Sequence, residues 1–594
     1  MMLSISYRQK LLTMISWSLL AFSIGVTASM LDLGMDVSDT AYYFISIEWY
    51  DQVYAQATLF GPLWNAISPF EGIWQNRLLN LAFLVSSSVL LGYASCLYVG
   101  NYARRESLSV ALPLCGVAAF FYYYRWLPDP SYNSMNFGFL NVAIVLSLTL
   151  SAYLRQHDVT RLKVGLLVTA VTMAGFMLLL SKITTVAVIG PVLACIVIFH
   201  ARRVRDGGVW LAGLLGFFCG VLIGLALLYR VGVTPTKAVS MLREGAKFGT
   251  ALIEPRLDVL LAITRFLKFV SKSWAPTLHA FPLVTLFLVL SLLTLLGCWL
   301  LVRQGATWRS LFRLGGQWFF ALSFVCVAIM PGVGGEARLS LLLIVLLFGG
   351  VFTVLGYEPE NADEVRRKIF ILLLMISALL AYCFGTNARW SSLLPSALLY
   401  FFVPFVLPQR SFPMTSAAAG LVIAAAGYWA SYQSWTDMPY RMEAPMAHLT
   451  EEVHVGPRDE IFYVTKDLAP FYRELQRVRT FEFPSDRKPV LLDMTGRTPM
   501  ANYQLGARIP GTPWLLSGYP GSDRIFHAFL SALPPHDLKE AWLFVTDTPK
   551  DFSHQADILK AVGLDFPGGY ELVTTVPVPY IKKSAKLYRP VPDP

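Results

Sequence analysis

Three aspartates near the start of the chain are spaced in a way that suggests chemistry. Asp32, Asp36 and Asp39 follow the first apolar stretch almost directly, and a pair of tyrosines comes next. Carboxylates at the edge of the hydrocarbon layer are costly, so they indicate function by default. A carboxylate so placed can take the proton of a reacting hydroxyl. The alternative is that Asp39 caps a helix beginning at Thr40. Asp32 and Asp36 are expected to be solvated loop residues.

The composition indicates the setting in which these acids lie. Of 594 residues, 55% are apolar and only 14% are charged, whereas soluble domains carry roughly a quarter charged residues. The chain therefore uses lipid as part of its solvent. The net charge of +10 does not indicate a nucleic-acid partner, because the basic residues punctuate the apolar runs instead of forming one patch. None of the seven cysteines lies in the polar tail, so neither a disulfide framework nor a thiolate metal site is indicated.

Many of the apolar runs are long enough to cross a bilayer, which takes roughly 20 helical residues. Thirteen spans are predicted, near 11–30, 79–99, 108–124, 137–154, 164–181, 184–200, 209–229, 282–302, 317–330, 338–356, 369–386, 391–407 and 414–432.

Basic residues mark every second connection between these spans. They lie before the first span and after spans two, four, six, eight and ten, at Arg8, Lys10, Arg104, Arg105, Arg155, Arg161, Lys163, Arg202, Arg203, Arg205, Arg303, Arg309, Arg313, Arg366, Arg367 and Lys368. Loops rich in arginine and lysine stay in the cytoplasm. The sequence thus predicts a multi-pass membrane protein with a cytoplasmic amino terminus and its carboxyl-terminal domain on the outer face. In the bacterial inner membrane that we expect for it, the outer face is the periplasm if the source is Gram-negative.

Three outer segments are too long to be simple turns, namely 31–78, 230–281 and the tail from 433 to 594. Long connections in compact proteins are usually functional. Within the second, residues 241–274 have apolar positions at helical spacing and many cations, which predicts an amphipathic helix along the membrane surface. Such a helix could anchor the loop or hold anionic lipid.

The tail alternates between strand and helix patterns, which predicts a small soluble α/β domain. Strands are expected at 461–465, 490–494, 541–546 and 570–578. Helices are expected within 467–478 and 551–563, each begun by a capping aspartate, Asp467 or Asp551. The Gly- and Pro-rich stretch 496–523 is expected to be an extended loop.

Short motifs along the chain resemble those of one enzyme class. They comprise Asp39 in DVSDTAYY, GPLW at 61–64, Arg77 before the second span, Asp129 in LPDPSYN, Lys182 in LLSKITT and Arg338 in GGEARLSLL. With the layout of spans and tail, the chain resembles membrane glycosyltransferases of the GT-C class, in particular protein O-mannosyltransferases and lipid A aminoarabinose transferases. Two departures are that no second acid follows Asp39 and that Ile183, not glycine, follows Lys182.

The resemblance implies a fold and an activity. The fold would be GT-C-like, a polytopic helical membrane protein of about thirteen spans with a soluble α/β domain at its carboxyl end. The activity would be transfer of a sugar from a polyprenyl-phosphate-linked donor to a glycan, lipid or protein acceptor. It leaves open which sugar and acceptor are used, and whether a divalent metal ion takes part.

The resemblance also assigns roles to residues. Asp39 would be the general base, and Lys182, Arg338 and Arg77 would bind the donor phosphate in a partly dry site. Asp129, Tyr42, Tyr43 and Trp64 would bind acceptor or sugar. Each of these residues also has a structural alternative. Lys182 could snorkel, Arg77 could anchor a helix end, and Arg338 could pair with Glu336. Asp129 could form a turn, and the aromatics could belong to the membrane interface.

Other functions fit the sequence less well. An O-antigen polymerase or ligase would place a large outer loop late in the chain and lack a big soluble tail. A transporter or flippase of lipid-linked sugars would show internal repeats and charges at mid-membrane depth, whereas almost all charges here lie at span ends. A binding module on an inert anchor would not need thirteen spans.

Overall fold

A computed structural model gives the structure of most of the chain. It describes residues 5–53, 58–99, 105–156, 158–202, 204–252, 362–383, 390–406, 413–437, 439–442, 444–483, 488–513, 522–546 and 549–591, with a few isolated positions between 321 and 345.

The apolar runs form helices, since a helix satisfies its own backbone groups where water is absent. In the amino-terminal part these are α1 (Ile5–Ala28), α2 (Asp39–Glu48), α3 (Phe60–Ile67), α4 (Ile73–Val99), α5 (Arg105–Ala118), α6 (Tyr132–Tyr153), α7 (Arg161–Ser181), α8 (Ile183–Ala201), α9 (Gly207–Arg230) and α10 (Pro235–Leu252). Three further long helices are α11 (Ala362–Cys383), α12 (Trp390–Val406) and α13 (Pro413–Asp437).

Ten of the thirteen predicted spans fall on these helices. Six of the helices are long and apolar enough to cross a membrane. The predicted spans 282–302, 317–330 and 338–356 lie wholly or largely outside the described residues, as does most of the predicted amphipathic stretch beyond α10. Several boundaries differ from expectation, because α1, α4, α6 and α11 begin five to seven residues before the predicted spans and α13 continues five residues further, to Asp437. The side of the membrane that each end faces stays a prediction.

The carboxyl-terminal region contains two small sheets. Its strands are β1 (Leu449–Val455), β2 (Glu460–Thr465), β3 (Leu491–Asp493), β4 (Trp542–Thr546), β5 (Tyr570–Val578) and β6 (Lys583–Pro590). Strands β1 and β2 pair antiparallel, and the larger sheet has the order β3-β4-β6-β5, in which only β3 and β4 are parallel. All four predicted strands are confirmed. Strands β1 and β6 were not predicted, because their alternation is weakened by charged residues.

Helices connect and cover these strands. They are α14 (Ala469–Phe481), α15 (Met500–Leu505), α16 (Ser522–Leu530), α17 (Pro535–Lys539) and α18 (Pro549–Ala561). Both predicted aspartate caps are wrong. Leu468 precedes α14 without a side-chain cap, and α18 begins at Pro549, ahead of Asp551. The prediction of an extended loop at 496–523 is also wrong in part, because α15 lies within it and packs against α2.

The larger sheet separates two hydrophobic cores. Along β4, Trp542 and Phe544 face one core while Leu543 and Val545 face the other. The second core is closed by α16 and α18. The first contains side chains of the early segment, including Val37 and Phe44 of the α2 region. The predicted α/β domain therefore shares its core with the segment between α1 and α4.

Candidate active site

The three aspartates lie at the start of α2, but not in the arrangement expected. Ser38 precedes the helix and Asp39 is its first residue, so the predicted cap by Asp39 is wrong. Instead, the Asp36 carboxylate accepts the backbone N–H of Asp39. Asp36 is 2% exposed, so the expectation that it is solvated is wrong too. Asp32 is partly exposed, and its carbonyl accepts the backbone N–H of Tyr463 at 3.1 Å.

The Asp39 carboxylate is buried and faces the segment that follows α13. Arg441 Nη1 donates to Asp39 Oδ1 at 2.5 Å, and Tyr440 hydrogen-bonds to the same carboxylate. Burial raises the pKa of Asp39 and of Asp36, and the neighbouring charge of Asp39 raises that of Asp36 further. The Arg441 guanidinium lowers the pKa of both. The carboxylates thus form a coupled pair that titrates together.

A buried ion pair lies next to this carboxylate pair. Arg77 Nε and Asp129 Oδ1 are 2.6 Å apart, and both side chains are fully buried. Arg77 also donates to the carbonyls of Leu31 at 2.6 Å and Gly34 at 3.1 Å. Thr40, the second residue of α2, donates to Asp129 Oδ2 at 2.5 Å. In this conformation both predicted binding residues are engaged with protein groups, and their predicted roles toward donor and acceptor stay predictions.

Lys182 occupies the sharp break between α7 and α8. It is the only residue between the two helices, with φ −163° and ψ 100°. Its side chain is buried, and Nζ donates to the carbonyl of Tyr382 at 2.7 Å. No carboxylate among the described residues pairs with it. A buried ammonium group without a counter-ion attracts an anion strongly.

Aromatic side chains connect the start of α2 to α3. Tyr42 and Tyr43 both contact Phe60, with ring centroids 6.0 and 5.9 Å away, and Tyr43 contacts Tyr132 at 6.2 Å. Trp64 is buried, and its Nε1 donates to Asn76 Oδ1 at 2.7 Å. The predicted sugar-binding aromatics therefore contact one another and residues of α3, α4 and α6.

The same segment reaches the break that holds Lys182. The backbone N–H of Leu59, just before α3, donates to the carbonyl of Leu180 at 2.8 Å, two residues before Lys182. Helices α2 and α3 pack closely because residue 61 is a glycine. A Cβ on Gly61 would collide with the carbonyl of Ser46. The helix that begins at Asp39 therefore packs on α3, and the residue before α3 bonds to α7 two residues from the buried cation.

Two residues of this site were not predicted. Arg441 and Tyr440 lie about four hundred positions from Asp39 in the sequence, in a connection between a helix and a strand. No local motif distinguishes them, since contacts of this kind are set by the fold. The predicted phosphate ligand Arg338 lies outside the described residues. Among the residues that are described, no group of three or more His, Cys, Asp or Glu could hold a metal ion.

The chain is similar to solved structures but matches no protein family. No curated protein matches it either. Among solved structures, ArnT from Cupriavidus metallidurans bound to undecaprenyl phosphate is similar over 96% of this chain and 97% of its own, with 13% identity and a TM-score of 0.40. The oligosaccharyltransferase AglB from Archaeoglobus fulgidus, in complex with an inhibitory peptide and a dolichol-phosphate, is similar over 90% of this chain and 73% of its own, with 11% identity and a TM-score of 0.40. Because both identities and both scores are low, function has to be argued from the site itself.

Proposed function

We infer that the protein is a membrane glycosyltransferase that moves a sugar from a polyprenyl-phosphate-linked donor to an acceptor hydroxyl, with Asp39 as general base. The observation that carries this proposal is the buried pair of carboxylates at the start of α2. Asp36 and Asp39 are 2% and 5% exposed and share the charge of Arg441, and burying two acids so close together costs stability. Such perturbed clusters concentrate at functional sites.

Asp39 is suited to the base role by its surroundings. Its carboxylate is held at the beginning of a helix, where the positive end of the helix dipole favours the ionised form. In the proposed reaction the acceptor oxygen attacks the anomeric carbon, the bond from that carbon to the phosphate oxygen breaks, and Asp39 takes the acceptor's proton. The electron pair of the broken bond leaves with the lipid phosphate.

Lys182 is suited to the leaving phosphate. Among the described residues, the Lys182 ammonium group hydrogen-bonds to the carbonyl of Tyr382, which leaves further N–H donors available for an anionic oxygen. In a dry site such a cation stabilises developing charge far more than it would in water. The Leu59–Leu180 hydrogen bond, which ties the α2–α3 segment to this break, supports a common site for Asp39 and Lys182.

In this proposal Arg77 and Asp129 have a structural role, and not the phosphate-binding and acceptor-binding roles that their motifs suggest. Their mutual ion pair and the bond from Thr40 hold the first turn of α2 against α4. In this proposal they brace the base and do not touch the substrate.

The proposal is tested by comparing wild-type protein with Asp39→Asn and Asp32→Asn, purified and checked for folding. Each would be incubated with polyprenyl-phosphate-linked sugars, and release of polyprenyl phosphate would be followed. In parallel, each would complement deletion cells whose glycans are profiled. Asp39→Asn should lower turnover by roughly 10²–10⁴-fold, the usual contribution of a general base.

The partly exposed Asp32 serves as the matched control, and Asp32→Asn should leave turnover within about twofold of wild type, as expected of a surface substitution. Full activity of Asp39→Asn would exclude Asp39 as the base. If deletion altered no glycan and no sugar donor were turned over, the transferase proposal would fail and a transporter would have to be considered instead.

A further inference from the structure

Arg441 lies in the short connection between α13 and β1, yet it reaches the candidate base. Its Nη1 donates both to Asp39 Oδ1 at 2.5 Å and to Ser38 Oγ at 2.8 Å. The Arg441 side chain is 30% exposed while that of Asp39 is 6% exposed. The guanidinium is therefore the more exposed member of this ion pair, and the carboxylate is the buried one.

The backbone at Arg441 adopts a conformation that arginine disfavours. Its φ is +57°, in the left-handed region where Cβ crowds the backbone and glycine is preferred. Residues held in this way persist where the surrounding structure demands them, and they cluster at functional sites. Arginine here supplies a side chain that glycine could not.

The neighbouring residues hold the guanidinium in place. The Tyr440 ring centroid lies 5.3 Å from Arg441 Cζ, within the range of a cation–π contact. Tyr440 in turn packs on Trp126 at 5.6 Å. On the other side, Met442 packs so closely on Gly34 that a Cβ there would collide with it. The connection is thus fixed against the segment that carries Asp36 and Asp39.

Arg441 supplies positive charge to a site that is otherwise rich in acidic groups. Among the described residues, the groups facing Asp39 are Asp36, Asp129, Tyr42, Tyr43 and Tyr440 together with Arg441 itself. The nearby cation Arg77 is committed to Asp129. Without Arg441, two buried carboxylates would share a site in which like charge and burial both favour protonation. A protonated Asp39 could not accept a proton.

We propose that Arg441 is a positioning residue that keeps Asp39 ionised and oriented for proton abstraction, so that the connection to the carboxyl-terminal domain forms part of the catalytic site. This inference rests on the proposed function, because it presumes that Asp39 is the base. It gives the domain a catalytic purpose, since the domain and the α2 segment share one core.

The test is the pH dependence of kcat/KM in wild type, Arg441→Gln, Arg441→Lys and Arg441→Gly, with polyprenyl phosphate release as the assay. Removing an opposite charge in contact should move the acid limb of the profile to higher pH by about one to three units. Arg441→Gln and Arg441→Gly should therefore be strongly impaired near neutral pH and recover as pH rises. Arg441→Lys should keep the limb nearer to its wild-type position, because it retains the charge.

Two control variants distinguish loss of the Arg441 guanidinium from relief of backbone strain and from loss of a surface arginine. Lys582→Gly relaxes a second left-handed residue, φ +53°, in the turn between β5 and β6. Arg473→Gln removes a surface arginine paired with Glu451 at 2.8 Å. Neither should move the acid limb. Asp36→Asn removes the second carboxylate, so its effect on the acid limb of the kcat/KM profile shows how far Asp36 shifts the pKa of Asp39.

The outcomes distinguish this inference from the proposed function. If Asp39→Asn is inactive but the Arg441 variants keep the wild-type limb, or lose activity equally at every pH, the positioning role is overturned and the transferase proposal stands. If Asp39→Asn is fully active, the proposed function itself fails. The infrared band of a protonated carboxyl, assigned with Asp39→Asn, gives a readout that does not depend on turnover. It should appear at a higher pH in Arg441→Gln than in wild type.

Discussion

Replacing Asp129 with alanine should strongly destabilise the protein, because it would leave the Arg77 guanidinium buried without its carboxylate. Both side chains are fully buried and their charged atoms are 2.6 Å apart. Removing one partner of such a pair typically costs about 3–5 kcal/mol, most of which is the penalty of an uncompensated buried charge. The carbonyls of Leu31 and Gly34 still accept from Arg77 but carry no full negative charge. The hydroxyl of Thr40 would also lose its acceptor, which adds about 1 kcal/mol.

The loss can be measured as an apparent melting temperature in detergent, by fluorescence-detected size-exclusion after heating. For a cooperative unit of 150–250 residues, about 2–4 °C is lost per kcal/mol. Asp129→Ala should therefore melt at least about 6 °C below wild type, by the same scaling. Glu451→Ala is the matched control. It breaks a surface pair with Arg473 at 2.8 Å, which should be worth no more than about 1 kcal/mol.

A double variant distinguishes a lost ion pair from a general packing defect. Replacing both partners with apolar residues, as in Arg77→Met with Asp129→Leu, removes the uncompensated charge and should recover much of the stability. A bracing role predicts that the double variant is more stable than Asp129→Ala alone. If Asp129→Ala melts with wild type, the pair does not brace the site and the reasoning from burial is refuted.

Two further predictions concern the contacts that hold the carboxyl-terminal domain against the segment that carries Asp39. The Glu460 carboxylate accepts from the backbone N–H of Ile73 at 2.8 and 2.9 Å, at the start of α4. Glu460→Ala should cost about 0.5–2 kcal/mol, as loss of an N-terminal cap does, whereas Glu452→Ala on the neighbouring strand should not, when the two are compared by thermal melting. Burial raises the pKa of Glu48 to about 7, with Arg458 and Tyr503 opposing the shift. Since the folded state then binds the proton more tightly than the unfolded state, stability should fall as pH rises from about 4.5 to 7, by up to about 3 kcal/mol. Glu48→Gln should flatten the pH dependence of the melting temperature over this window. An unchanged slope would mean that groups other than Glu48 cause the pH dependence.

The sequence by itself determined the elements with a strong local pattern. Apolar runs of about 20 residues can be stable in lipid only as helices, and ten of the predicted spans lie on described helices. The four predicted strands of the tail were equally readable, because a short apolar run is a property of neighbouring residues, and two of these strands, β3 and β4, are buried throughout. Asp39 was identified as a candidate for a related reason, because carboxylates beside an apolar run are conspicuous in a chain with so few charges. Asp129, Arg77 and Lys182 became candidates through the resemblance of their short motifs to those of GT-C glycosyltransferases.

What those residues contact was decided only by the tertiary structure. Arg77 and Asp129 lie 52 positions apart and neutralise each other, while Arg441 and Asp39 meet across 402 positions. The burial of Asp36 depends on a core to which the α2 segment and the carboxyl-terminal domain both contribute. Ion pairs and burial depend on distances in space, which a linear pattern does not contain. For that reason the motifs could indicate which residues carry charge into the site, but not which of them remain available to a substrate.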